Sequence, residues 1–513
     1  MSLIAKIAWR NIMRHKGKSL IIGSILFVGA FIMTVGNGVI SGMDRGLNTT
    51  VVNSFTGDIV LMSDKQEGDN VFFEFMGKAT PPIDNYLDIR KVLDEQPFVQ
   101  RSLPVGKNMA MILNEQEDGL PGNAILVGVD FEKYRGMFPG SVKIVAGRLL
   151  EKNESGALVP LWACKEFQAY TNIWFMAQGE KLDTAKLPPE VKPDIATLVP
   201  KDNAVLMGYN EDNSTSDIRV PIKGIIEYRA LNSMWGRFVL VDIESYRRCL
   251  GYFSAADKVD ISDSDRKLFS MDEGNMDALF TAGGAIGKNN APGQAKKTSA
   301  AASPASAQSA QVKPVNVDAG AYNLVFVLLK NGENAGRAIA KLNAVFKEKK
   351  LGVRAVSWKR SLGPVGSMAV IIKAALFLFV MFLFFVAIII IVNTLSMAAL
   401  ERTTEIGMMR AVGARKGFIT TMFLAETALL SFVFGGAGIA AGILGVNVLA
   451  AFHFTTTNDM VQLLFGGDTF HPLLTATDMA LSVTQLAIVT LIAVVYPTRL
   501  AQNITPLDAI QRD

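Results

Sequence analysis

Four long stretches almost free of charge constrain this chain more than any other feature. Residues 19–43, 374–400 and 479–498 contain no Asp, Glu, Lys or Arg, and residues 418–451 contain one, Glu426. About 20 apolar residues suffice to cross a bilayer core as a helix, so each stretch reads as a membrane span. Half of the 513 residues are hydrophobic, and the excess is concentrated in these blocks. Between the first two blocks lie roughly 325 residues of mixed polarity, enough for a packed core of their own.

The distribution of cations sets the expected topology. Lys6, Arg10, Arg14, Lys16 and Lys18 precede the first span; Arg402, Arg410, Arg415 and Lys416 join the second to the third; Arg499 and Arg512 follow the fourth. Residues 452–478 hold no Lys or Arg. The positive-inside rule then predicts cytoplasmic termini and a cytoplasmic middle connection, with the large domain outside. Lys359, Arg360 and Lys373 run against this bias locally, and Lys373 is expected to snorkel to outer headgroups. A secretory signal peptide is the rival reading of the first block. Its apolar core exceeds the usual length and no A-x-A-like site follows Val39, so an uncleaved anchor is expected. A net charge of +4 argues against a general nucleic-acid binder.

The expected organisation is an amphipathic helix at 1–18, spans at 19–43, 369–400, 418–451 and 479–498, and an extracytoplasmic domain at 44–368. A cytoplasmic helix at 401–417, an outer loop at 452–478 and a cytoplasmic tail at 499–513 complete it. In the first segment Leu3, Ile4, Ile7, Ala8, Asn11 and Ile12 follow helical spacing, while Lys6, Arg10 and Arg14 recur at i+4. Such a helix lies along the inner membrane surface, apolar side in lipid.

The outer domain reads as α+β. Residues 57–62, 124–129, 220–226 and 238–242 are strand-like, the last two within a β-rich region at 125–242. A strand at 323–329, a helix at 333–350 with Ala335, Ala338, Ile339, Leu342 and Phe346 on one face, and a strand at 353–358 form one unit. Residues 281–321 lack Leu and, before Ala321, any aromatic; a disordered insertion is predicted at about 255–321. Cys164 and Cys249 either pair in an oxidising compartment or stand as separate buried thiols.

Catalytic patterns are missing. No Walker A, HExxH, GxSxG or CxxC spacing occurs, and GGAIGK at 283–288 lacks the P-loop spacing. The three histidines, His15, His453 and His471, fall on both membrane sides. If this protein does work, the energy comes from elsewhere.

The segment ERTTEIGMMRAVGARKG at 401–417 has the parts of a docking helix, although a solvated loop has the same composition. Glu401 and Glu405 are i,i+4 neighbours where acids suit the helix dipole. Met408 and Met409 offer adaptable apolar contacts, and Gly413 and Gly417 punctuate the end. In the third span Gly435, Gly438 and Gly442 form a small-residue face, with Gly438 and Gly442 as GxxxG; Gly38 and Gly42 do the same in the first. Glu426, about 12 Å of helix past Phe418, is either a hydrogen-bonded helix contact or an acid reaching the inner headgroups.

Several segments resemble the FtsX-like and MacB-like permease family of ABC transporters. These are AWRNIMRHKGK at 8–18, NTLSMAALERTTEIGMMRAVGAR at 393–415, Glu426 with the glycines after it, YPTRLA at 496–501 and ITPLDAI at 504–510. The outer half matches more loosely, through Gly147, Arg148 and the unit ending in Trp358. The insertion departs from the family pattern. The resemblance implies four transmembrane helices and an extracytoplasmic α+β domain built of porter-like and β-rich sabre-like subdomains. It implies a second permease copy or paralogue, a dimer of ATP-binding subunits that carry ATP and Mg, and no cofactor on this chain. Glu401, Arg402, Glu405, Ile406, Gly407, Met408, Arg410, Gly413 and Ala414 would then couple to the ATPase.

By that resemblance the chain is a non-enzymatic subunit in a bacterial inner membrane, working by mechanotransmission. Domain size, span number and the absence of a fused ATPase make lipoprotein-releasing permeases of the LolC and LolE kind the nearest relatives. Their cargo is a lipoprotein, handed to a periplasmic carrier. A MacB-like efflux permease for peptides or amphiphilic drugs is the alternative, and a non-transporting signalling scaffold driven by an ATPase is a third reading.

Overall fold

The first spanning helix continues well past its apolar stretch. It runs Lys16–Leu47 and passes into a π-helical segment, Asn48–Thr56, that ends at Gly57 with φ +73°. Burial carries it onward: Val51, Val52 and Phe55 pack with Tyr228, Trp235 and Phe238 of the mixed-polarity domain. The Phe55 ring stacks on Trp235 at a centroid distance of 4.0 Å. The span is therefore built into the domain core, and a rotation of one must move the other. The structure is a computed structural model that describes residues 3–14, 16–73, 79–83, 85–115, 119–184, 187–209, 215–252 and 317–503. The bulk of the expected insertion, the GGAIGK stretch, His15 and the 504–510 motif lie outside those residues.

Three further helices are long and apolar enough to cross a membrane: Pro364–Glu401, Lys416–Ala451 and Ala476–Gln502. The third has 36 residues, about 54 Å of helix, against a hydrocarbon core of about 30 Å. Close glycine contacts set its register on the first span. Gly23 faces Phe434, Gly438 faces Ala30, and Gly442 faces Thr34, so Ser19 is level with Leu430. The segment Lys416–Leu430 lies below that level and packs against the helix Leu3–Arg14. Ala8 of that helix is buried, while Trp9 and Met13 remain exposed.

Twelve strands are described in the outer domain. In chain order they are β1 (Ile59–Ser63), β2 (Val99–Leu113), β3 (Gly122–Val129), β4 (Val142–Gly147), β5 (Ala157–Pro160) and β6 (Ile173–Phe175), followed by β7 (Val199–Lys201), β8 (Asn203–Tyr209), β9 (Thr215–Tyr228), β10 (Phe238–Asp242), β11 (Leu324–Leu329) and β12 (Val353–Ser357). Ten of them form one sheet, and β6 pairs with β7 separately. The long strand β2 is the joint. Its first half pairs with β11 in the four-stranded order β12-β1-β11-β2. Its second half pairs with both β3 and β8, and the pairings β2-β3-β10-β5-β9-β8-β2 close a ring of six strands.

Two-residue periodicity sorts the side chains of the ring. Ile112, Leu126, Val159, Leu206, Ile222 and Val241 join one apolar cluster. Val105, Ile125, Leu158, Ile226 and Leu240 join the other, which receives the end of the first span. The β-rich region is thus continuous with the rest of the sheet. In the four-stranded part, the helix Ala335–Glu348 links β11 to β12 and buries Ala338, Leu342 and Phe346. It starts at Asn334, whose side chain caps the Arg337 N–H.

The structure adds detail to four expectations. The insertion ends earlier than 321: Asp318 pairs with Arg90 at 2.6 Å and with Lys133, and the Val317 carbonyl accepts from Arg247 at 2.9 Å. Cys164 and Cys249 are separate, free and buried, and burial raises both thiol pKa values, that of Cys249 to about 12. Lys373 does not simply snorkel; it pairs with Asp44 at 2.8 Å, tying the second span to the first. The loop after the third span is docked. Its helix Asp459–Phe465 presents Gln462, which accepts from the Leu231 N–H at 2.6 Å, and Asp459, which accepts from the Ser233 N–H at 2.8 Å.

Candidate functional site

The segment between the second and third spans is not one helix over 401–417. The second spanning helix keeps Glu401, a short helix covers Thr403–Ala411, a turn follows, and the third helix starts at Lys416. Gly413 makes the turn with φ +102°, where a side chain would be strained. The Gly413 N–H bonds the Arg410 carbonyl and the Ala414 N–H bonds the Met409 carbonyl, both at 3.0 Å, closing the helix end.

Inside this corner Arg402 meets Glu426. The guanidinium Nη1 lies 3.0 and 2.9 Å from the two carboxylate oxygens, and both residues are buried. Of the two readings of Glu426, the helix contact is the one found. An apolar cluster of Ala399, Ile406, Ile419, Met422, Phe423 and Ala501 surrounds the same level and fixes the short helix to the third and fourth. Glu405 pairs with Arg14 at 3.3 Å, and Arg410 donates to the Gln502 carbonyl at 3.2 Å.

The candidate coupling residues therefore divide. Arg402, Ile406 and Gly407 are buried within the chain, so they position the segment and cannot touch a partner directly. Glu405, Arg410 and Ala414 are half-buried, and Glu401, Met408 and Gly413 are exposed. Val412, which sequence reasoning passed over, is 91% exposed. With Met408, Gly413 and Phe418 it lines an open groove of about 930 Å³. An apolar tip on a rigid corner, ringed by Arg415 and Lys416, can bind a protein surface; it holds no group for bond chemistry. Among the described residues no three His, Cys, Asp or Glu side chains converge as a metal site.

The candidate packing glycines all meet neighbours within this chain. A side chain at Gly442 would press on Thr34, one at Gly38 on Val446, one at Gly435 on Leu486, and one at Gly42 on the Pro472 backbone; Gly438 lies against the Phe27 carbonyl. The glycine face thus brings the first and third spans together. Sequence reasoning missed the polar seam beside it. Asn37 donates to Ser482 and Gln485, each at 3.0 Å, and Ser41 donates to Asp478 at 2.8 Å. Its signal was Thr34, Asn37 and Ser41 on one helical face of an otherwise apolar run.

Four spanning helices, an outer α+β domain grown from the first and second, and a braced corner at the opposite face define a multi-pass membrane protein of permease type. Residues 377–506 match the FtsX-like permease C-terminal family. That match takes in most of the second spanning helix, the corner at 401–417 and the third and fourth helices. The macrolide export ATP-binding/permease protein MacB of Psychrobacter arcticus is 31% identical over 126 residues, 24% of this chain and 16% of that protein. The pyoverdine export ATP-binding/permease protein PvdT of Pseudomonas aeruginosa is 49% identical over 53 residues, 10% of this chain and 8% of that protein. The chain thus matches less than a fifth of the length of these curated relatives. The crystal structure of the periplasmic region of MacB from Actinobacillus actinomycetemcomitans overlaps 60% of this chain and 91% of its own, at 9% identity and a TM-score of 0.28.

Proposed function

We propose that this chain is the membrane subunit of an ABC transporter that converts ATP-driven closure of partner subunits into movement of its outer domain. The observation that carries the reading is the corner at 401–417: an exposed apolar tip at Met408 and Val412, held rigid from behind by Arg402 and Glu426. A dimer of ATP-binding subunits grips this tip from the cytoplasm, and a second permease copy or paralogue completes the complex. The chain sits in a bacterial inner membrane with both termini inside.

The first span is the lever, because its far end is built into the domain core through Val51, Val52 and Phe55. The cargo we propose is a lipoprotein taken from the membrane and passed to a periplasmic carrier. An apolar groove of about 340 Å³ between the first and second spans, bordered by Val28, Ile32, Leu383 and Phe384, suits an acyl chain. Export of a soluble amphiphile is the second reading, favoured by the macrolide and pyoverdine relatives.

The test is purification of the full chain from its native membrane with identification of the bound ATPase and cargo, beside Val412→Asp. Loss of the ATPase from that variant, with the permease still folded, supports the reading. An undiminished complex, or no ATPase with the wild type, defeats it. A co-purified acylated protein selects the lipoprotein cargo, and a soluble amphiphile selects the second reading.

A further inference from the structure

A separate cavity of about 260 Å³ lies on the basic side of the bundle, between the amino-terminal helices and the third span. Trp9, Lys16 and Leu20 border it on one side; Leu429, Val433 and Phe434 border it on the other. The last two belong to the π-turn Ser431–Gly435. Its level is that of Ser19 and Leu430, where the first apolar stretch begins, with Lys16 on the charged side of that boundary.

Lys16 is the charged residue among those bordering the cavity, and the amino-terminal segment around it is rich in cations. No Asp or Glu occurs in the chain before Asp44, whereas Lys6, Arg10, Arg14, Lys16 and Lys18 all do. Lys6, Arg10 and Lys16 are exposed; Arg14 is engaged by Glu405. Trp9 is exposed beside Lys16, as an indole placed at a membrane interface is. An apolar slot beneath a cationic rim is complementary to one molecule already present in the bilayer.

We infer that this cavity binds an anionic phospholipid, with an acyl chain against Leu20, Val433 and Phe434 and the phosphate at Lys16. The inference is independent of the transport reading, because it depends only on the slot and its rim. The bound lipid fills the gap left by the π-turn and joins the amino-terminal helix to the third span.

The experiment uses the full chain, purified and relipidated in an equal mixture of phosphatidylglycerol and phosphatidylcholine, then analysed by native mass spectrometry. The wild type should retain phosphatidylglycerol over phosphatidylcholine by about fivefold, the scale expected for one lysine at an anionic surface. Lys16→Gln should bring the ratio near one, and Val433→Trp, which fills the slot, should remove the retained lipid. Lys65→Gln, remote in the outer domain, should change nothing. Leu20→Trp serves the same purpose if Val433→Trp does not fold. Equal retention of the two lipids by the wild type, or unchanged retention in both Lys16→Gln and the slot-filling variant, would overturn the inference. So would displacement of the lipid by free glycerol phosphate, since the acyl chain would then contribute nothing.

Discussion

Arg402 and Glu426, 24 residues apart in sequence, form a buried ion pair at 2.9 Å. It closes the corner between the second and third spanning helices at the level where the first apolar stretch begins. Two charges removed from water hold each other in place, and each is costly without the other. The pair explains how a nine-residue helix with an exposed apolar tip is held in place from behind.

Removing one partner should therefore hurt more than removing both. Glu426→Ala is expected to destabilise the folded protein by about 3 kcal/mol, since it strands a buried guanidinium. Arg402→Met with Glu426→Leu should recover most of that loss. Thermal unfolding of the wild type, Arg402→Met, Glu426→Leu and the double variant in one detergent measures the coupling. Additive losses would show that the pair contributes nothing.

The glycine face makes a prediction of opposite character. A Cβ at Gly442 would lie 2.7 Å from the Thr34 Cβ, while one at Gly436 would meet nothing within 4 Å. Gly442→Leu should cost about 1–3 kcal/mol by forcing the first and third spans apart. Gly436→Ala should be neutral or slightly stabilising, because alanine is the better helix former. Melting temperatures of both variants check the contrast.

Acid sensitivity should reside partly at Glu154. The Arg148 guanidinium, the Glu151 N–H and Lys223 hold its carboxyl pKa down at about 2. A depressed pKa contributes stability that is present above the unfolded value, near pH 4.5, and lost as the pH falls toward 2. Glu154→Gln should therefore flatten the decline in melting temperature across that window and leave the neutral-pH slope unchanged. An identical acid profile in the variant would contradict this.

The stretch between Tyr252 and Val317 should be dispensable, because the residues that flank it are pinned together. The Tyr252 N–H bonds the Arg247 carbonyl at 2.8 Å, and the Arg247 guanidinium donates to the Val317 and Ala321 carbonyls at 2.9 and 3.2 Å. Replacing residues 258–312 with a short Gly-Ser linker should leave the melting temperature unchanged. Extending the deletion through Asp318 should destabilise the domain, since Arg90 and Lys133 lose their partner.

Much of this architecture was legible in the sequence for a simple physical reason. A chain must bury backbone polar groups in lipid as helices, so hydropathy and the placement of Lys and Arg reveal spans and expected topology before any contact is known. Two-residue and helical periodicities likewise announced β3, β9, β10 and the β11–helix–β12 unit. What could not be read were relations between distant segments. The partner of Glu426, the closure of six strands through β2, the docking of residues 459–465 on the outer domain, and the inward turn of Ile406 and Gly407 all depend on packing. The length of the third helix is the sharpest case. Composition marked residues 418–451 as one apolar block, and only the packing showed that its first part, Lys416–Leu430, lies against the amino-terminal helix. The sequence by itself determined how many times the chain can cross a membrane. Tertiary structure decided how the crossings are set against one another, because register is fixed by which side chains of neighbouring helices meet.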